Sequence, residues 1–174
     1  MNTKDLLVTS QRHMLGTLKG LLAKAAADER GDALLQAKLA EDMHPLSVQV
    51  RFLCNMVGVA MQRVAGIDFT SSEEDPATFA EAQARIDATL ADLAEWEKLD
   101  FAADDAALEL AIPNGMVFDM TTITYARDWS VPQFYFHIMV AYSILRKEGL
   151  DVGKADFVPH MFQYIRQPAS GTDG

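Results

Sequence analysis

The stretch from Gln133 to Gly149, QFYFHIMVAYSILRKEG, decides the fold. At about 100° per residue, Phe134, His137, Ile138, Ala141, Ile144 and Leu145 fall in one apolar stripe. The spacing predicts an amphipathic helix, entered through Val131-Pro132 and stopped at Gly149, that buries this stripe in a core. Gln133 stands one turn before His137 at the edge of the stripe, so the two side chains reach the same point. A lone histidine on such a face has two readings, a hydrogen-bonded core residue or a ligand.

Three further segments carry the same period. From Lys4 to Asp28, Leu7, Met14, Leu18, Leu21 and Ala25 keep near one face, and Gly31 stops the helix. His13 lies off that face, as a boundary residue. A second helix opens at Pro45, a favoured first position, and runs to Ala65 before Gly66. Leu46, Val50, Leu53, Val57, Ala60 and Val64 form its stripe, and Gln49 interrupts it from within. A buried amide without partners costs about 1–3 kcal/mol, so Gln49 needs a hydrogen-bond partner or a ligand. The polar linker Thr70 to Pro76 leads to a third helix, with Phe79, Ile86, Leu90, Leu93 and Glu97 at near-heptad spacing and an end near Leu99.

Between the third helix and the last the period changes to two. Leu108, Leu110 and Ile112 alternate, Pro113-Asn114-Gly115 supplies a turn, and Val117, Asp119, Thr121, Ile123 and Tyr125 form a second alternating set. Asn-Gly between two alternating runs predicts a β-hairpin. After Gly149 the chain reads as an ordered loop, and Ser170 to Gly174 as a frayed end. The expectation is an all-α four-helix bundle over residues 1–174, one domain, with one short hairpin before the last long helix. Ligand sites in such bundles are built from inward side chains of facing helices. Here the inward polar candidates are Gln49, Gln133 and His137.

Composition bounds the partners. The chain has 25 acidic and 15 basic residues and a formal net charge of −10, which repels phosphate backbones and anionic lipid. No nucleic acid and no membrane partner is expected. The single cysteine, Cys54, makes no internal disulfide and suits a reducing compartment. With no signal-peptide pattern at the N-terminus and no apolar run of about 18–20 residues, the expected location is cytoplasmic. Cys54 is placed on the polar side of the second helix, as an inert, partly buried thiol.

The order His137-x4-Tyr142-x-Ile144-Leu145-Arg146-x2-Gly149, following Gln133, resembles the last helix of the DinB-like superfamily. The motifs Phe134-Tyr-Phe-His137, Gly153-Lys154-x-Asp156-Phe157 and Asp42-Met43-x-Pro45-Leu46-x2-Gln49-Val50 look like one small uncharacterised bacterial branch of it. The resemblance implies a site for one divalent metal held by three histidines, one from helix two and two from helix four. It also implies, for several members, thiol-dependent transferase or isomerase activity, and a homodimer as in similar bundles. Carried over, His137 matches the second helix-four histidine, Gln133 stands at the first, and Gln49 stands at or near the helix-two position.

Two of the three inherited ligand positions therefore hold amides, weak ligands for zinc or nickel. The expected reading is a bundle with a degenerate metal site and no cofactor, binding a small molecule or serving a structural, dimeric role. The alternative is a metal-dependent enzyme holding zinc or nickel, with His137 as ligand or general base. Tyr142 is a further phenol on the same helix, and His44 lies five residues before Gln49 at a different angle. Met14, Met56, Met61 and Met139 line either a pocket or the core.

Overall fold

The computed structural model describes residues 1–166, so the frayed end expected for Ser170 to Gly174 lies outside the described residues. Four long helices form the body: α1 (Thr3–Ala26), α2 (Leu46–Ala65), α3 (Phe79–Trp96) and α5 (Val131–Lys147). Each begins or ends on a local signal. The Asn2 side chain accepts from the Asp5 N–H to cap α1, and Thr78 accepts from the Glu81 N–H to cap α3. Gly66, at φ 67°, closes α2 in the left-handed conformation that glycine adopts without strain.

Helices α1 and α2 each pack chiefly on α3 and α5, which sets α1 and α2 on one diagonal of a four-helix bundle. The core is made by the expected stripes. Leu7, Leu18, Leu21, Val50, Leu53, Val57, Ile86, Leu93, Ile138 and Ile144 are all fully buried. Among the described residues no helix is long and apolar enough to cross a membrane.

The hairpin lies where the alternation placed it. Strand β1 (Ala107–Ala111) runs antiparallel to β2 (Val117–Thr121), with Ala107 opposite Thr121 and Ala111 opposite Val117. Gly115 takes φ 88° in the turn, and the Ile112 N–H bonds back across it to the Met116 carbonyl.

The second strand is shorter than its alternation. Ile123 and Tyr125 belong instead to a single helical turn, α4 (Thr122–Thr124), and to a π-helical segment, Tyr125–Ser130, that runs into α5. The cause is a capping box: the Thr121 hydroxyl accepts from the Thr124 N–H, and Thr124 Oγ1 accepts from the Thr121 N–H. Pro132 then lacks the N–H that a regular helix needs at the junction, and the wider turn precedes it.

Other boundaries differ in smaller ways. The first helix ends at Ala26, and Gly31 opens a 3₁₀ turn, Gly31–Gln36, rather than only stopping a helix. The third ends at Trp96 rather than Leu99, and Glu97 leaves the stripe to pair with Arg12 at the surface. The tail is not plain loop: it holds a helical turn, α6 (Lys154–Phe157), and a 3₁₀ segment, Pro159–Tyr164. That tail lies back along α1. Thr17 donates to the Phe157 carbonyl, and His13 stacks on His160 with ring centres 4.3 Å apart.

One core position breaks the pattern that the periodicity implies. Gln11, in the middle of the α1 stripe, is 1% exposed, and among the described residues neither of its amide atoms meets a hydrogen-bond partner. Desolvating an amide without return is costly. Gln11→Leu is therefore expected to raise the unfolding free energy by about 1–2 kcal/mol, read as a higher urea midpoint at unchanged slope. A lower midpoint would show that the amide is satisfied and structural.

Candidate functional site

The site forms where α2, the linker after it, the π-helical segment and α5 meet. A cleft of about 410 Å³ is lined by Phe52, Asn55, Met56 and Val59 of α2, Ser71 and Glu73 of the linker, Trp129, and Gln133 and His137 of α5, with Arg51 at its rim. A larger groove, about 520 Å³, runs between α1 and α3, but Lys19 is its one charged residue and small residues make most of its wall. Only the first brings a titratable group together with buried polar partners.

Gln49 is 3% exposed, and its Nε2 donates to the His44 carbonyl at 3.2 Å. This bond turns the amide oxygen toward α5, where Oε1 lies 2.8 Å from His137 Nδ1. An amide oxygen only accepts, so Nδ1 is the protonated nitrogen of His137. In the neutral ring Nε2 then keeps its lone pair. Nε2 has no hydrogen-bond partner among the described residues, and the His137 ring lines the cleft.

Burial, and secondarily the charge of nearby His44, lower the His137 pKa below its ordinary 6.5. The imidazole is neutral at pH 7. Phe52 and Phe136 each meet its ring edge-on at 5.2 Å, which holds its plane. His137 is thus a half-buried group at the edge of the bundle, not a fully buried member of the stripe.

The linker wall is fastened at several points. Asn55 donates to the Ser72 carbonyl and accepts from the Ser72 N–H, at 2.9 and 3.0 Å. Arg51 bonds Asp75 at 2.6 Å and approaches Glu73 at 3.9 Å. The Phe69 ring fills the notch left by Gly58, where a Cβ would collide with it, so this glycine is required by close approach.

Of the three residues read from the sequence, the structure joins Gln49 and His137 directly. Gln133 lines the same cleft but bonds to neither. Tyr142 packs edge-on to Phe157, 5.5 Å away in the tail, and does not serve His137. His44 comes closer than its spacing suggested, edge-on to Phe52 at 5.3 Å. The polar placement of Cys54 is corrected: it is 5% exposed, and burial pushes its thiol pKa up, which disfavours the thiolate. Met14 and Met61 are core, Met56 lines the cleft and Met139 is 47% exposed.

Trp129 was not legible as a site residue. Its place depends on the π-helical segment, which no periodicity signals, although such segments often mark functional positions.

Residues 4–158 match the family model described as "Domain of unknown function (DUF1993)". The fold is similar to a crystal structure of a DinB family member protein from Shewanella denitrificans, with a TM-score of 0.71 and 29% sequence identity. The match covers 97% of this chain and 94% of that one. No curated protein matches the sequence.

Proposed function

The chain belongs to the DUF1993 family and has a DinB-like helical fold, and from that premise we propose that it binds a small molecule in the α2–α5 cleft without a metal. The observation that carries this is the bond from His137 Nδ1–H to Gln49 Oε1. It commits the amide oxygen that stands at one inherited ligand position and leaves the other nitrogen of a cleft-lining imidazole without a protein partner among the described residues.

The donor set is a poor one for zinc or nickel. Such a site needs several nitrogen or sulfur donors converging on one point. Here Nε2 of His137 has only the uncommitted amide of Gln133 on the same wall, and among the described residues no three of His, Cys, Asp and Glu cluster to hold a metal. Gln49 instead does what a residue behind a ligand does: it fixes the tautomer and the aim of the imidazole.

Metal content and thermal melts of the untagged protein test this. No stoichiometric zinc or nickel is expected, and no upward shift on adding either. A bound metal at a hundredfold excess over its dissociation constant would stabilise the fold by about 2.7 kcal/mol. A shift of that size, absent in His137→Ala, would replace the proposal with a metal centre.

A further inference from the structure

The chemistry of the cleft selects among small molecules, and that selection rests on the proposal that the cleft binds one. Two polar groups stand on its α5 wall: the Gln133 amide, which both donates and accepts, and the His137 ring, which accepts and does not donate. The Nδ1–H of His137 is spent on Gln49, so Nε2 presents only a lone pair. The Asn55 amide is held by both backbone groups of Ser72.

The rim sets one cation against two carboxylates. The Arg51 side chain is 15% exposed, bonds Asp75 at 2.6 Å and has Glu73 at 3.9 Å, so it is not free to hold a carboxylate or phosphate. Its guanidinium also lies over the Phe52 ring, 4.9 Å from the centre. Apart from Ser71 and Gln133, the remaining walls are apolar or aromatic: Phe52, Met56, Val59 and Trp129. A volume of about 410 Å³ suits one ring with a short substituent.

We infer that the cleft takes an uncharged aromatic molecule that donates one O–H or N–H to His137 Nε2, a phenol-type ligand, with its ring against Phe52 and Trp129. A carboxylate in the same place sets acceptor against lone pair, and an aryl ether leaves Nε2 unpaired. Discrimination by a missing donor is steep where the protein group has no other partner.

NMR titration of the full chain at neutral pH with 4-ethylphenol, 4-ethylanisole and 4-ethylbenzoate tests this, read at the His137 ring nitrogens and the Trp129 indole. The phenol is expected to bind about three- to tenfold more tightly than the ether, the worth of one hydrogen bond, and to move the Nε2 resonance. The benzoate is expected to bind no better than the ether. In His137→Phe the phenol should fall to the level of the ether. Equal binding of phenol and ether, or tighter binding of the benzoate, overturns the ligand class and leaves the cleft as a binding site. No response at His137 or Trp129 to any of the three overturns the small-molecule reading as well. The comparison of ligands on the unaltered chain stands even if the variant does not fold.

Discussion

Phe134→Ala is expected to lower the unfolding free energy by about 3–5 kcal/mol, the range for truncating a large buried aromatic. Phe134 is 1% exposed and is among the largest fully buried side chains, on the face of α5 that enters the core. For a domain whose total stability is about 5–15 kcal/mol, that is about a fifth or more of the margin. Phe136, two residues on, is 57% exposed, and Phe136→Ala should cost much less. Urea unfolding of the two variants measures the contrast. It fixes the rotation of α5 about its axis, and that rotation aims His137 at the cleft instead of at the core. Equal losses at the two positions would mean that α5 is turned otherwise and that the cleft is wrongly composed.

The second large effect belongs to His137. His137→Ala leaves Gln49 Oε1, on a side chain 3% exposed, without its partner. The orphaned acceptor costs about 1–3 kcal/mol, and the lost edge-on contacts with Phe52 and Phe136 add about 1 kcal/mol. The expected total is a loss of about 2–4 kcal/mol, the same with or without added zinc or nickel. Adding Gln49→Leu should restore part of it, because the second change removes the amide that the first one strands. A double variant less stable than the sum of the single losses would show that Gln49 answers to some other group.

The same residue sets a pH dependence. Its folded pKa is depressed, so between that value and 6.5 the unfolded chain binds more protons than the folded one. His137 therefore contributes full stability above pH 6.5 and loses it as the pH falls through the folded pKa. His13, lowered by burial and then by the charges of His160 and Arg12, acts in the same direction. Unfolding curves should show stability falling on acidification from pH 6.5, with a shallower slope in His137→Ala.

The helices were legible because their causes are local. Repeats of Leu, Val and Ile at helical spacing, Pro45 at one start, Gly66 at one stop and Asn114-Gly115 between alternating runs each act within a few residues. Local causes also explain one of the misses. The strand reading of Ile123 and Tyr125 failed because a threonine capping box outweighed a period of two. The polar placement of Cys54 failed for a tertiary reason, because α3 packs over that side of α2 and covers it.

By itself the sequence determined that the bundle forms and that Gln49 is a polar group aimed inward and in need of a partner, since burial of an amide carries that demand wherever it occurs; His137 it placed on the same face, where the structure finds it half-buried. Tertiary structure alone decided who answers that demand. The two residues stand 88 positions apart, and their bond exists only because α2 and α5 pack side by side. It decided, too, that Gln133 stays at the cleft wall, that Trp129 joins it, and that the His137 ring lines the cleft with Nδ1 held by Gln49. A hydrogen bond is a matter of ångströms and angles between specific atoms, and periodicity fixes a face of a helix without fixing what lies opposite.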